Sequence, residues 1–203
     1  MTSTSDTKKT APRRGRPGYD RETLLSICVK VFNERGYEAT SMEALSEALG
    51  ISKSAIYHHV NSKEEILEQA LDRALDSLEL VLEETLNSEG DGGEHLERAI
   101  RGTVDALIKQ LPSVTLLLRL RGNSEVEERA LVRRRELTRT FAQIVEQAQA
   151  SGAVRSEIDN RAGARLILGM INSLVDWYRP NGGYSVEDVQ NSIVNMTFNG
   201  LKA

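Results

Sequence analysis

Disulfides, secretion signals and membrane-spanning runs are missing from this chain. Cys28 is the single cysteine, so no internal disulfide can form, and a chain without disulfides is typical of a reducing compartment. The sequence has no secretory signal pattern and no apolar run of the roughly 18 residues that a membrane span needs. We therefore predict a cytoplasmic protein with no membrane partner. Its 203 residues can hold one small unit and one larger helical body.

The motifs of common catalytic and metal sites are also missing. There is no Walker-type phosphate loop, no H-E-x-x-H, no C-x-x-C and no G-x-S-x-G. His58 and His59 are adjacent, so on a helix their side chains diverge by about 100° and cannot bind one metal ion together. We predict no catalytic site, no metal site and no cofactor. The competing class, an enzyme of unrecognised type, requires a specific activity that survives purification.

The charge of the chain is low overall but unevenly distributed. The net charge is −4, which taken as uniform argues against a nucleic-acid partner. Residues 1–63, however, contain 10 Lys and Arg against 7 Asp and Glu, whereas the remainder contains 16 against 23. A basic end on an acidic body orients the molecule towards phosphate and keeps the body away from DNA.

The segment Thr40–Lys63 has the pattern of two short helices joined by a tight turn. Thr40 and Glu43 form a capping box that predicts where the first helix begins. Gly50 predicts its end, because glycine adopts a left-handed conformation at little cost, and Ser52 predicts the cap of the second helix. Apolar side chains recur on the inner faces: Met42, Leu45, Ala48, Leu49, Ala55, Ile56 and Val60.

The outer face of the second helix is hydrogen-bonding and almost free of acid. It is predicted to present Lys53, Ser54, Tyr57 and His58. This is the chemistry of a helix-turn-helix that reads the major groove of DNA. Three further residues are predicted to contact mostly phosphates: Ser41, Ser52 and Lys63. The alternative is an ordinary helical hairpin whose polar face is only solvated.

The flanking segments support a DNA-binding unit. Asp20–Arg35 carries one apolar stripe and precedes Gly36, which predicts a first helix and a three-helix core. Residues 1–18 form a basic arm whose composition predicts disorder in the free protein. Within it, Arg14-Gly15-Arg16-Pro17 is similar to the core of an AT-hook, in which two arginines enter a narrow minor groove. We predict that Arg14 and Arg16 contact the minor groove or phosphates.

Three segments carry a resemblance to a known family: Val29–Ser41, which contains F-x-x-x-G-Y-x-x-T-S, Gly50–His59 and Asn61–Leu67. Over Tyr19–Leu71 the chain resembles the DNA-binding domain of TetR-type transcriptional regulators. Val29 stands in place of the usual alanine, and Val60 in place of the usual phenylalanine, which changes the volume of a core residue. The resemblance implies an all-helical homodimer, a bipartite operator and release of DNA when a small molecule binds.

The remainder of the chain reads as helices. The predicted helices are Ser62–Leu86, Glu94–Gln110, one around Val114–Leu120, Ser124–Ala150, Asp159–Arg179 and one from Ser185 nearly to the C-terminus, with a surface loop over Asn87–Gly93. We therefore predict an all-α fold of about nine helices. Residues 1–18 form the basic arm, 19–64 the helix-turn-helix domain, and 65–203 a helical ligand-binding and dimerisation domain.

The last two predicted helices are apolar on several sides. Such helices must be covered on several sides, and a monomer of this size has little material left to cover a terminal pair. We predict a homodimer through a four-helix interface, with a fully intramolecular core as the alternative. Two recognition helices would then address half-sites about 34–36 Å apart, and a ligand that changes this distance would misplace one of them.

The sequence indicates the ligand site less clearly than the DNA-binding unit. Five polar or aromatic residues in apolar helices are predicted to line a cavity: Thr115, Arg119, Phe141, Asn172 and Trp177. Each has a structural alternative, and Arg119 could equally pair with a nearby glutamate. Arg133–Arg135 is predicted to be a solvated face.

The C-terminal segment Gly169–Gly183 resembles the corresponding region of acyl-CoA-responsive members of the TetR family, which implies a CoA thioester as effector. A hydrophobic drug or an aromatic metabolite is the competing ligand class. The predicted function is a ligand-responsive regulator, a repressor, that binds double-stranded operator DNA. The alternative is a DNA-binding protein without a ligand response.

Overall fold

The computed structural model of the protein describes residues 20–201, which form ten α-helices and no β-strand. In chain order the helices are α1 (Arg21–Arg35), α2 (Met42–Leu49), α3 (Lys53–Tyr57), α4 (Lys63–Leu86), α5 (Gly92–Lys109), α6 (Leu111–Leu118), α7 (Glu125–Ala150), α8 (Asn160–Asn172), α9 (Leu174–Trp177) and α10 (Val186–Phe198). The all-helical prediction is confirmed. No helix of this described part is long and apolar enough to cross a membrane.

Helices α1, α2 and α3 close around a small apolar core. Asp20 caps α1 by accepting a hydrogen bond from the Thr23 amide at 2.8 Å, and α1 ends at Gly36 as predicted. The fully buried side chains of this core include Leu24, Cys28, Phe32, Leu45 and Ile56. Burial also raises the pKa of Cys28 to about 11, so its thiol stays protonated and acts as a small apolar group.

The turn between α2 and α3 follows the predicted chemistry, but the cap of α2 does not. Gly50 adopts the left-handed conformation, with φ 66° and ψ 30°. The N-cap of α2 is Ser41, whose hydroxyl accepts from the Ala44 amide at 3.2 Å. Thr40, predicted as the cap, is buried and donates to the Gly36 carbonyl at 2.7 Å. Its hydroxyl closes the preceding turn, so the helix begins one residue later.

Helix α4 is the central element of the molecule. It begins at the predicted Ser62 cap, whose hydroxyl accepts from the Glu65 amide at 3.1 Å, and it packs against α1, α5, α6 and α7. Helix α7 then contacts α5 and α8, and α10 packs on α5 and α8. One continuous apolar core therefore runs from α1 to α10 and connects the first helices with the body.

Helix α5 begins two residues earlier than predicted, inside the glycine-rich segment. Asp91 and Glu94 form a capping box, so Gly92 occupies the first turn of the helix. A Cβ atom added to Gly92 would lie 2.2 Å from the carbonyl oxygen of Gln147 on α7. Glycine is therefore required for the close approach of α5 and α7.

The predicted eighth helix, Asp159–Arg179, is two helices. Asp159 caps α8 as predicted, but the helix stops at Asn172 and α9 starts at Leu174. The Ser173 hydroxyl donates to the Met170 carbonyl at 2.7 Å, a local bond that competes with continued α-helix. This break brings the number of helices in the described residues from the predicted nine to ten.

Candidate nucleic-acid interface and ligand cavity

Helix α3 presents its polar side chains away from the core. Ser52 caps it by accepting from the Ala55 amide at 3.2 Å, and Ile56 is completely buried beneath it. This orientation leaves four side chains exposed, and Tyr57 is 47% accessible: Lys53, Ser54, Tyr57 and His58. Their outward placement is the one predicted from the sequence.

Lys53 is already paired within the protein. Its ammonium group donates a hydrogen bond to the carboxylate of Glu43 on α2. This bond raises the pKa of Lys53 and lowers that of Glu43. The cation on the outer face of α3 is therefore partly neutralised by a neighbour that the sequence pattern did not single out.

Ser41 and Ser52, predicted to contact phosphates, both have capping roles. The Ser41 hydroxyl caps α2, and the Ser52 hydroxyl lies 2.9 Å from that of Ser54 in addition to capping α3. Both side chains lie on the exposed side of the helix-turn-helix. Arg14 and Arg16, predicted for the minor groove, lie outside the described residues.

Lys63 has an intramolecular reason for its position at the start of α4. Its ammonium group donates to the Tyr37 carbonyl at 3.1 Å and lies 4.2 Å from the centre of the Tyr37 ring. Tyr37 packs edge-to-face on Phe32, with 5.1 Å between ring centres. Lys63 therefore ties the end of α1 to the start of α4, so a phosphate partner is not needed to explain it.

A cavity of about 900 Å³ lies between α4, α5, α6, α7 and α8. Its inner wall is apolar and almost completely buried, with lining residues such as Leu82, Leu107, Val114, Leu117 and Phe141. Its size lies within the range of small-molecule sites in proteins, which is roughly 300–1,000 Å³.

The outer part of the same cavity is strongly basic. Five arginines of α7 and α8 line it: Arg134, Arg135, Arg139, Arg161 and Arg165. All but the half-buried Arg134 are exposed, so they form a rim, and the acidic residue among the lining side chains is Glu146. An apolar interior behind a cationic rim fits a ligand with an anionic head and an apolar body.

The structure separates the five residues predicted for the cavity. Phe141 and Asn172 line it, whereas Thr115, Arg119 and Trp177 do not. The Thr115 hydroxyl donates to the Leu111 carbonyl of its own helix at 2.7 Å. Trp177 is half exposed, and its indole N–H donates to the Ser173 hydroxyl at 3.2 Å. These three residues do not line this cavity, and a role for them in ligand binding stays a prediction.

The predicted solvated face at Arg133–Arg135 is corrected for Arg133 and Arg134, which are partly buried, whereas Arg135 is exposed as predicted. Arg133 bonds three carboxylates of α4, with 2.8 Å to Asp72 and 2.9 Å to Glu79. Arg134 and Arg135 line the cavity.

A signal for the missed arginines is present in the sequence. Arg135 and Arg139 on α7, and Arg161 and Arg165 on α8, are like charges at i,i+4 spacing. Such pairs slightly destabilise an isolated helix and concentrate positive charge on one face, so the spacing is a sequence signal for a basic surface.

Helix α6 connects the cavity to the helix-turn-helix. Arg134 donates to the Leu117 carbonyl in the last turn of α6 at 3.3 Å. Arg119, just beyond α6, donates to the Asn33 carbonyl near the end of α1 at 2.9 Å. The Asn33 side-chain amide donates in turn to the Pro112 carbonyl at 2.8 Å. Arg119 is therefore a residue of the α6–α1 junction.

The terminal helices leave apolar side chains at the surface. Leu166 on α8 and Trp177 on α9 are 67% and 49% exposed, and Met196 on α10 is also exposed. Leu166 and Met196 lie on the two predicted helices that were expected to form a dimer interface. The interface itself stays a prediction.

Comparisons with known proteins agree with this arrangement. Residues 24–70 match the family described as bacterial regulatory proteins, tetR family. Residues 89–201 match the family described as tetracyclin repressor-like, C-terminal domain. Together the two matches include the helix-turn-helix and most of the cavity-bearing body.

Similar proteins are transcriptional regulators. The structure of SCO3833 from Streptomyces coelicolor A3, a TetR family member, has a TM-score of 0.83 and 49% identity, covering 89% of this chain and 91% of that one. The repressor KstR2 of Rhodococcus jostii (strain RHA1) is 28% identical over 189 residues, covering 89% and 90% of the two chains. The structure of AibR in complex with isovaleryl coenzyme A and operator DNA has a TM-score of 0.74 at 24% identity, covering 88% and 97%.

The predicted resemblance to TetR-type regulators is confirmed. It extends beyond the helix-turn-helix into the helical body, because similar proteins match both parts of the chain. The protein belongs to the tetR family of bacterial transcriptional regulators.

Proposed function

We propose that the protein is a homodimeric repressor that releases operator DNA when an acyl-CoA thioester enters the cavity. The observation that carries this proposal is the combination of an apolar cavity of about 900 Å³ with a rim of five arginines. On this proposal the protein is cytoplasmic and has no catalytic role. Residues 1–18 serve as a DNA-contacting arm, 19–64 as the DNA-binding domain and 65–203 as the ligand-binding and dimerisation domain.

On DNA, α3 enters the major groove. Ser54, Tyr57 and His58 approach base edges, because they are exposed and none is tied to an acidic neighbour. Lys53 leaves the carboxylate of Glu43 and binds a DNA phosphate instead. The hydroxyls of Ser41 and Ser52 also contact the phosphate backbone of the DNA. The phosphate contacts position the protein on DNA, and the base contacts read the sequence.

Two copies of α3 are held apart by the bodies. The exposed apolar side chains of α8 and α10 from each subunit pack together in the dimer, which removes apolar surface from water. The two recognition helices then address half-sites about 34–36 Å apart. A change of a few ångströms in this distance is enough to lose one half-site.

The effector is an anion with an apolar part. Five arginines lie around one opening, and Arg139 among them is bonded to Glu136. An anion bound among the arginines reduces their mutual repulsion, and phosphates accept hydrogen bonds from guanidinium groups in a matched, forked geometry. The acyl chain of a thioester fits the buried leucine-rich wall. AibR, which shares the fold, binds isovaleryl coenzyme A. An uncharged drug-type molecule gives the arginine rim no role.

Helix α6 transmits binding to the DNA-binding unit. A phosphate that recruits Arg134 competes with the Leu117 carbonyl for the same guanidinium group. The end of α6 is thereby released. Helix α6 is connected to α1 by the hydrogen bonds of Arg119 and Asn33. A shift of α6 therefore moves α1, and with it α3, relative to the dimer axis.

The test requires an operator, obtained by selecting bound sequences from a random duplex library with the full-length protein. Fluorescence anisotropy then follows release of this operator by decanoyl-CoA, with CoA alone and decanoate alone as matched controls. We expect decanoyl-CoA to release DNA at a concentration at least about tenfold lower than either control, since only the thioester uses both rim and interior.

Other outcomes point to the competing functions. Release by an uncharged aromatic compound, with no effect of thioesters of any chain length, favours the drug-type effector. An operator affinity that no small molecule changes, including those identified by mass spectrometry after native purification, favours a DNA-binding protein without a ligand response.

A further inference from the structure

Thr103, on α5, differs from the other buried threonines. Its side chain is 5% exposed, and it lines the cavity. Thr85 and Thr40 are similarly buried, but each donates its hydroxyl hydrogen bond to a backbone carbonyl four residues earlier, Val81 and Gly36, at 2.7 Å. Ala99 lies four residues before Thr103, but the Thr103 hydroxyl does not bond the Ala99 carbonyl. It has no other hydrogen-bond partner among the described residues.

Three of the four partly buried threonines in the described helices follow the same rule as Thr85, and Thr140 on α7 does not. Thr115, Thr138 and Thr197 each bond the carbonyl four residues earlier, at distances from 2.7 to 3.0 Å. This back-bonding is the ordinary way for a helical threonine to satisfy its hydroxyl. The Thr103 hydroxyl departs from it, and it is not sealed inside the protein packing, so it opens onto the cavity.

The surroundings of Thr103 make an unpaired hydroxyl costly. The wall of the same cavity includes the apolar residues Leu82, Leu107 and Phe141, which are at most 4% exposed. A hydroxyl in such apolar surroundings costs free energy unless it forms a hydrogen bond. Valine has nearly the same shape and would carry no such cost. A threonine at this position therefore offers a hydroxyl to whatever occupies the cavity, water or a ligand.

We infer that Thr103 is a specificity-determining residue that hydrogen-bonds a hydroxyl or keto oxygen on the buried part of the effector. The arginine rim selects an anionic head, the leucine wall accepts the apolar body, and Thr103 requires an oxygen within that body. This inference rests on the proposed effector site and narrows the ligand from a plain acyl thioester to an oxygenated one. A hydroxyl both donates and accepts, so it pairs with an alcohol or a ketone.

The first measurement needs no ligand and compares Thr103→Val with Thr85→Val. Thr85→Val removes a satisfied hydroxyl and should lower the Tm by about 2–4 °C. Thr103→Val should leave the Tm unchanged or raise it, because the lost hydroxyl has no partner inside the protein. A loss of Tm at Thr103 as large as that at Thr85 would mean that its hydroxyl has a structural role, and would overturn the inference.

The second measurement uses two pairs of probes and isothermal titration calorimetry on the full-length dimer. The first pair compares decanoyl-CoA with a hydroxylated decanoyl-CoA, and it is measured in three versions, with the hydroxyl on the third, the sixth or the last carbon. The other pair, 1,4-dimethylbenzene and 4-methylphenol, carries no CoA. We expect the wild-type protein to bind an oxygenated member at least about tenfold more tightly than its plain partner, and Thr103→Val to abolish that preference. Thr85→Val should keep it.

The two pairs distinguish this inference from the proposed function. If no thioester binds, but the protein prefers 4-methylphenol to 1,4-dimethylbenzene and this preference depends on Thr103, the CoA proposal is wrong and the role of Thr103 stands. If the wild-type protein distinguishes neither pair, or if Thr103→Val weakens plain and oxygenated probes equally, the role of Thr103 is refuted.

Discussion

The outer face of α3 and the cavity between α4 and α8 differ in how their charges are arranged. On α3 the one cation is Lys53, which is bonded to Glu43, and the other outward side chains are neutral hydrogen-bonding groups. The cavity presents five arginines against one carboxylate. On the proposed function, the cavity binds its effector by charge and α3 reads base edges. The cations that attract the DNA backbone would then lie largely outside α3, and the sequence contains a group of them in residues 1–18.

The largest expected effect concerns the reading of bases. Tyr57→Ala removes an exposed hydrogen-bonding side chain of α3 from both subunits of the proposed dimer. A lost base contact costs about 1–3 kcal/mol, so the dimer should lose on the order of thirtyfold or more in operator affinity. The measurement is fluorescence anisotropy on the selected operator, with sedimentation to confirm the dimer. Leu80→Ala, an equally exposed site on α4, is the control. Equal operator affinity in Tyr57→Ala would remove α3 from the DNA interface.

The cavity rim should respond to charge reversal in the complementary way. Arg135→Glu and Arg165→Glu should each weaken decanoyl-CoA binding by about tenfold or more, since a phosphate meets a carboxylate instead of a guanidinium group. Operator affinity without thioester should be unchanged. Arg155→Glu, an exposed arginine that does not line the cavity, provides the matched control. If the rim variants behave like Arg155→Glu in calorimetry, the arginines are not the phosphate site.

The same two regions differ in how far the sequence predicts them. The helix-turn-helix is determined by neighbours in the chain: Gly50 stops α2 through its own φ, and Ser52 caps α3 through an amide three residues away. Local rules therefore located both helices, but they placed the cap at Thr40 instead of Ser41, and they placed Ala48 on the inner face although it is exposed. The outward direction of α3 follows directly from the burial of Ile56.

The cavity is assembled from five helices that are distant in the chain, and no local rule places side chains across them. Arg119 and Arg134 are both arginines near apolar residues, yet one bonds α1 and the other lines the cavity. Which of them turns inward depends on how α6 packs on α1 and how α7 packs on α4. Trp177 was misplaced for a related reason, because the helix break at Ser173 turns it to the surface.

A third prediction tests where the phosphate-binding charge on the DNA side lies. Replacing the arginines and lysines of residues 1–18 with glutamine keeps the length of the arm and removes its cations. The slope of log affinity against log salt should become shallower by about 0.9 for each lost phosphate contact. Measurement at several salt concentrations gives this slope. An unchanged slope would mean that the backbone contacts come from the described part of the chain.

A fourth prediction concerns the connection between the two regions. Arg119→Ala should leave the dissociation constant for decanoyl-CoA unchanged, because Arg119 bonds Asn33 and lies outside the cavity. The ratio of operator affinities without and with thioester should fall by about fivefold, a loss of ~1 kcal/mol of coupling. Arg121→Ala, an exposed neighbour, is the control. A weaker thioester affinity in Arg119→Ala would instead support a ligand contact, as the sequence predicted.

The smallest expected effect contrasts the open side of the cavity with the closed contact between α5 and α7. Gly169 lies inside α8, and a Cβ atom there would meet nothing within 4 Å. Gly169→Ala should therefore stabilise the protein by about 0.5 kcal/mol, because alanine restricts the unfolded chain more than glycine does. Gly92→Ala should have the opposite sign, since its Cβ would overlap the Gln147 carbonyl. Thermal unfolding of both variants measures the difference, and a destabilised Gly169→Ala would mean that α8 is packed there against a surface of the dimer.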